Sequence, residues 1–351
     1  MSRVLDLPDS VRLVEVGLRD GLQVITRPVP TSAKVRLVER LLDAGVRHVE
    51  AVSFAHPRLL PQLADAEQVM AGVPRDRGAV YRGLVPNRRG AERAAPCGLD
   101  EIVALACTDE AVTWINQRST VADVLAGLRP IGEVARAGGA RFVVGIAMAF
   151  FAPGTGRVPA EVRRRCVDAA VDAGASGVYL ASSAGMDDPR DVADGVAEVR
   201  QRHPDVEVGV HLHARNGMAL ANALAAAQAG VTWIEGAFGG LGGDLWAPGD
   251  PAVLGNAPLE DLVHLMDGLG VTTGIDLTRY LEVVAEAMEL TGATARSAVV
   301  AGGTRDELAA HRWPEHLLAD GPAPSAVTHH HPMATVQVPA AGPTKEDTPC
   351  A

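Results

Sequence analysis

The chain has 351 residues and a formal net charge of −11, with 47% apolar, 21% charged and 3% aromatic residues. That balance supplies a large core and excludes a basic, base-stacking surface, so no nucleic-acid partner is expected. No apolar run reaches membrane-span length, no basic-then-apolar leader is seen, and Cys97, Cys107, Cys166 and Cys350 form no CxxC pair; a cytoplasmic protein without a membrane partner is predicted.

Strand-like and helix-like patterns alternate along the chain. A strand is predicted over 12–18, closed by Arg19-Asp20-Gly21, and a helix over 32–44, with Val35, Val38, Leu41 and Leu42 on one stripe and Gly45 after it. Strand 46–54, helix 61–71, strand 79–85 and a short helix 91–95 follow. Strand 101–107 precedes a long helical stretch, 121–137, in which Pro130 is expected to make a kink or break. Then come strand 141–149, helix 159–173, strand 177–182, helix 191–202, strand 206–213, helix 219–229 and strand 232–238. Eight β-then-α units predict a TIM (β/α)8 barrel, an α/β fold, here with extra C-terminal helices over 259–269 and 277–290. A doubly wound open sheet is the runner-up. Residues 1–313 are read as this barrel with its helices, and 314–351, rich in Pro and Ala, as a disordered tail. The stripe Leu262, Leu265, Met266 and Leu269 suits packing on the barrel or on a second copy of the chain, which leaves a homodimer open.

The C-terminal ends of barrel strands carry the chemistry in this fold. The first ends in Arg19-Asp20-Gly21, a fixed cation beside a hard oxygen ligand suited to Mg²⁺ or Mn²⁺. Alone, that tripeptide reads more readily as an ordinary Asp-Gly turn with a surface arginine. The seventh ends in His211-Leu212-His213, and residues two apart share a face of a strand. Two imidazoles with Asp20 make three ligands of an N₂O site. Glu50 and Ser53 near the second strand end, Asn87 after the third and Ser182-Ser183 at the sixth add polar groups, though Asn87 and Ser183 also suit capping. Glu15 and Glu50 lie in apolar strands and need partners, for which Arg19 or a cation's waters are expected. The glycine-rich run 239–243, followed by Asp244, reads as a flap.

Taken together, these residues resemble the 3-hydroxy-3-methylglutaryl-CoA lyase family, metal-dependent lyases built on TIM barrels. The likeness covers roughly 10–292. It is carried by Val14-Glu15-Val16-Gly17-Leu18-Arg19-Asp20-Gly21-Leu22-Gln23, Glu50-Ala51-Val52-Ser53-Phe54, Val85-Pro86-Asn87, the His211-Leu212-His213 segment with Gly217 and Ala219 to Asn222, Leu241-Gly242-Gly243, and Gly255-Asn256. The resemblance implies a divalent cation held by Asp20, His211, His213 and Asn256, with Arg19 stabilising an enolate and Glu50 supporting it. It also implies a small-molecule substrate, a hydroxy acid or a CoA thioester, cleaved by a retro-aldol or retro-Claisen step. Gln23, Ser182, Arg215 and His56 are the expected substrate-binding residues, although a surface-loop histidine fits His56 equally. Three positions depart from the family: Asp244 stands where the flap carries cysteine, Ser182 where the sixth strand ends in Asp, and Ala214-Arg215 where an acidic residue follows the second histidine. Asp244 is therefore expected to take the flap's acid/base role and Arg215 to bind a substrate carboxylate or phosphate, on a substrate other than 3-hydroxy-3-methylglutaryl-CoA. A carboligase joining an acyl-CoA to an oxo acid, or a barrel reused for binding, are the alternatives.

Overall fold

The computed structural model describes residues 5–243 and 255–314. The chain divides into two compact units, Met1–Thr304 and Arg305–Ala351. The second contributes one short helix, Arg305–Ala309, among the described residues. The expected tail, apart from Pro314, lies outside them.

The first unit is a closed ring of eight parallel strands: β1 (Arg12–Glu15), β2 (His48–Ser53), β3 (Val80–Leu84), β4 (Glu101–Cys107), β5 (Arg141–Ala147), β6 (Gly177–Ser182), β7 (Glu207–Leu212) and β8 (Trp233–Gly236). β1 closes the ring by pairing Arg12 to Glu15 with Trp233 to Gly236 on one side and Glu15 with Val49 on the other. The predicted barrel is what forms. Alternation sorts the side chains. Val178 and Leu180 of β6 face the helix layer, while Tyr179 and Ala181 turn inward with Val14, Val103, Val143 and Trp233. Glycine makes room for the two large rings: a Cβ at Gly145 would lie 2.2 Å from the Tyr179 ring, and one at Gly209 2.1 Å from that of Trp233.

The helices are α1 (Thr31–Asp43), α2 (Ala66–Gly72), α3 (Arg88–Ala94), α4 (Glu110–Gln117), α5 (Val121–Ala137), α6 (Ala160–Asp172), α7 (Pro189–Arg202), α8 (Ala219–Gln228), α9 (Leu259–Leu269), α10 (Leu277–Thr291) and α11 (Ala298–Gly302). Several expectations change. β1 stops at Glu15 because a turn of π-helix takes over. The helix expected over 61–71 splits into a 3₁₀ turn, Pro61–Leu63, and α2. α3 starts early because the Asn87 side chain accepts from Gly90 N at 3.0 Å and caps it. α4, absent from the sequence reading, is capped by Asp109, which accepts from Val112 N. α5 continues through Pro130, which forfeits one backbone bond without ending the helix. A small hairpin, Phe151–Ala152 with Gly156–Arg157, follows β5. Leu262 and Met266 of α9 are fully buried in the chain's own core and Leu265 and Leu269 pack against it, so that stripe is not a free face for a second copy.

Candidate active site and metal centre

Five buried residues, Gly17–Gly21, follow β1 as a single π-helical turn. The amides of Arg19, Asp20 and Gly21 all point at the Val16 carbonyl, at 3.1, 2.7 and 3.3 Å. Such wide turns recur at functional sites. This one sets the Arg19 and Asp20 side chains next to each other at the barrel mouth. Gly17 is dictated by space: a Cβ there would sit 2.5 Å from Glu15 Oε1 and 2.6 Å from the Phe238 ring.

β7 delivers His211 and, just past its end, His213. Their Nε2 atoms are 3.0 Å apart. Asp20, His211 and His213 are buried, and each offers a ligand atom within 4.8 Å of the others. Asn256 completes the group. Its backbone bridges to His213, and its Nδ2 donates to Asp20 Oδ2 and to the Leu241 carbonyl, both at 2.7 Å. Its Oδ1 is buried and has no hydrogen-bond partner among the described residues. Gly242 lies directly over this pair: a Cβ there would be 2.1 Å from Asn256 Nδ2 and 2.8 Å from Asp20 Oδ2.

The donors fit a divalent cation. Two ligands about 2.1 Å from one octahedral ion stand about 3.0 Å apart, which is the separation of the two imidazole nitrogens. The orphaned Asn256 oxygen is the kind of acceptor that a cation satisfies and that burial otherwise penalises. Two imidazoles, a carboxylate and an amide oxygen form a mixed N and O set of the kind that holds a divalent cation.

Charge around the cluster is arranged by burial and by neighbours. Burial opposes the Arg19 charge, but Glu50 and then Asp20 outweigh it and hold the guanidinium protonated. The contacts are Nη1 to Asp20 Oδ1 at 2.5 Å and Nη2 to Glu50 Oε2 at 2.7 Å. Burial would raise Asp20, yet Arg19 and the two imidazoles pull it below its ordinary value. Burial and the neighbouring His211 push His213 down to about 3, so its ring is neutral.

The other expected residues are placed unequally. Gln23 belongs to the cluster: its Nε2 donates to Asp20 Oδ1 at 2.9 Å and to the Gly243 carbonyl at 3.2 Å. Arg215 is half-buried behind Ala214, its stem pressed on Gly185, where a Cβ would meet Arg215 Cβ at 2.7 Å. Ser182 is fully buried but shares the outward parity of Leu180 and lies beside Asp187, not in the cluster. His56 is exposed, its Nδ1 accepting from Arg58 N at 3.1 Å. Asp244 falls outside the described residues. Arg19 partners Glu50 as expected, but Glu15 finds Tyr280 Oη and the amides of Gly17 (2.6 Å) and Phe238 (3.2 Å) instead. Burial pushes Glu15 up to about 7 despite these bonds.

Two residues escaped the sequence reading. Glu235 Oε2 faces His211 Nδ1 at 3.0 Å, and Arg82 Nη1 donates to Glu235 Oε1 at 2.8 Å. The signal was present, since each is a charge inside an otherwise apolar barrel strand, as Glu50 is.

Comparison with known proteins decides the family. A family model described as HMGL-like matches residues 10–286. The chain belongs to the HMGL-like family. An (R)-citramalyl-CoA lyase of Chloroflexus aurantiacus is 38% identical over 283 residues, covering 78% of this chain and 88% of that protein. The mitochondrial hydroxymethylglutaryl-CoA lyase of Bos taurus is 34% identical over 282 residues, covering 80% and 86%. Among solved structures, an HMG-CoA lyase from Acinetobacter baumannii in complex with coenzyme A and 3-methylmalate superposes with a TM-score of 0.81 at 32% identity, covering 87% of this chain and 98% of that one. This HMGL-like chain is accordingly a carbon–carbon lyase. No helix among its described residues is long and apolar enough to cross a membrane.

Proposed function

We propose that this lyase uses a divalent cation to split a carbon–carbon bond in a 3-hydroxyacyl-CoA thioester that carries a second carboxylate, and that HMG-CoA is not its preferred substrate. The observation that carries the reading is the buried Asp20, His211, His213 and Asn256 group with the charged Arg19 beside it. Relatives named for citramalyl-CoA and hydroxymethylglutaryl-CoA, and a structural neighbour holding coenzyme A, support the thioester class.

Asp20, His211, His213 and Asn256 would hold the cation. Once bound, it supplies Lewis acidity to the substrate's hydroxyl and neighbouring carbonyl oxygens. Asp244 takes the hydroxyl proton; the oxygen's electron pair becomes a carbonyl bond as the adjacent carbon–carbon bond breaks. The released pair forms the thioester enolate, whose oxygen charge Arg19 is placed to stabilise. Asp244 then returns the proton to the enolate carbon. Glu50 keeps Arg19 oriented, and Gln23 ties Asp20 to the glycine-rich segment. Arg215 is the carboxylate-binding group that sets this chain apart from the family pattern.

The test is acyl-CoA release from citramalyl-CoA and from HMG-CoA, with Mg²⁺, with Mn²⁺ and after chelation. Cleavage that needs the cation and favours citramalyl-CoA is expected. Full turnover after chelation would overturn the metal reading. Asp244→Asn should lose most turnover while still binding metal, and unchanged turnover would remove Asp244 from the mechanism. Arg215→Ala should raise KM for the preferred substrate.

A further inference from the structure

We propose that Glu235 is the positioning residue of this centre: clamped by Arg82 and Trp233, it fixes which ring nitrogen of His211 faces the cation. This rests on the metal reading above. Trp233 and Glu235 are two apart on β8 and both project into the barrel. Glu235 is 1% exposed, and both its oxygens are engaged. Oε1 accepts from Arg82 Nη1 at 2.8 Å and from Trp233 Nε1 at 2.9 Å. Oε2 is left for His211 Nδ1 at 3.0 Å. A carboxylate held by a guanidinium and an indole N–H can only accept. In its neutral form His211 therefore keeps its hydrogen on Nδ1 and leaves the Nε2 lone pair for a cation beside Asp20 and His213. Carboxylates behind metal-bound histidines fix the ring in this way and raise its basicity.

The clamp is itself anchored in the barrel interior. Arg82 Cζ lies 4.8 Å over the Trp233 ring. Its Nε donates to Glu101, which Arg141 meets from the other side at 3.1 Å. The Trp233 ring occupies space opened by Gly209, where any Cβ would collide with it. Three strands, β3, β4 and β8, thus hold one carboxylate against one imidazole nitrogen.

The experiment pairs calorimetric Mg²⁺ and Mn²⁺ titration with ¹⁵N NMR of the histidine rings in the metal-free protein. Wild type should bind and show His211 protonated at Nδ1. Glu235→Gln should weaken binding about 10- to 100-fold and move the His211 hydrogen to a mixture of both nitrogens, a change that loss of packing alone would not produce. Wild-type affinity with an unmoved hydrogen in Glu235→Gln overturns the proposal. Should that variant not fold, Trp233→Phe keeps the ring and the charge but removes one donor to Glu235. A several-fold weaker affinity then supports the clamp, and an unchanged affinity overturns it. No metal binding by wild type would sink the metal reading, while the wild-type tautomer still reports on Glu235 separately.

Discussion

The two ends of this barrel use the same residue types to opposite effect. At the floor, Arg12 meets Glu207 at 3.1 Å, Arg141 meets Glu207 at 2.6 Å and Glu101 at 3.1 Å, and Arg82 meets Glu101 again. Each carboxylate there is answered by two guanidiniums, and Glu207 is held below its ordinary value by Arg12 and Arg141 against the cost of burial. At the mouth, Arg19 is shared by Asp20 and Glu50, and a buried Asn256 oxygen stays open beside two facing imidazoles. The floor's carboxylates are answered within the chain, although Arg82 Nη2 and His48 Nδ1 are buried without a partner among the described residues, whereas the mouth leaves an acceptor open beside its candidate ligand group. Charge inside a barrel does not therefore mark a site. Unanswered acceptors at the C-terminal strand ends do.

The comparison breaks most visibly at the mouth. His211→Ala/His213→Ala should abolish Mg²⁺ and Mn²⁺ binding by calorimetry. It should also lower turnover at least about 10³-fold, the equivalent of several kcal/mol of lost charge stabilisation. Its metal-free thermal midpoint should fall as well, because His211 Nδ1 answers the buried Glu235 Oε2 at 3.0 Å and both rings are buried. Cation binding that survives in the double variant would mean that these imidazoles do not hold it. Arg19→Lys comes next. It keeps a charge beside Glu50 but loses the planar fork. A fall in kcat of about 10²-fold with KM nearly unchanged is expected in steady-state kinetics.

The floor should answer in stability. Arg82→Met removes one of the two guanidiniums on Glu101 and the one on Glu235, both 1% exposed. Breaking a buried pair from one side costs about 3–5 kcal/mol, read by urea unfolding of the metal-free protein. A loss well under 1 kcal/mol would show that water reaches these carboxylates, and the contrast between the two ends would weaken.

The sequence carried the outline of this contrast but not its wiring. Eight period-2 segments separated by helical stripes were enough for the ring. Arg19-Asp20 and His211-Leu212-His213 at two strand ends were enough to bring Asp20 and two imidazoles together, the histidines because strand parity is fixed locally. Parity was also the signal missed at Ser182. Tyr179 and Ala181 face inward, so Ser182 had to face the helices. The π-helical turn was illegible, since nothing in Val16-Gly17-Leu18 says that a strand-like pattern will coil. Glu15 shows the same limit. Its partner Tyr280 is 265 positions away, and no local rule finds it. Glu235 and Arg82 could have been found as a pair, since β8 and β3 each carry one inward charge of opposite sign.

A seam between α9 and the turn after β8 holds a third kind of buried carboxylate, which sharpens the comparison. Glu260, near the start of α9, accepts from Gly239 N with both oxygens, at 3.1 and 3.2 Å, with no ion pair among the described residues. Burial pushes it up to about 8, with Asp261 adding to the rise. The folded chain thus holds this proton more tightly than the unfolded one. The stabilising contribution is full below the unfolded value of 4.5 and is lost as the pH climbs through 8. At pH 7 the loss is on the order of 3 kcal/mol. Glu15, raised to about 7 by burial, slopes the same way in the same window. Glu260→Gln keeps an acceptor for Gly239 and removes the titration. Its unfolding free energy should therefore fall less steeply than that of wild type between pH 5 and 8, with the two curves closest at the acid end. Parallel curves would mean that Glu260 is ionised in the fold, and the seam would join the floor as a place where buried charge is already matched.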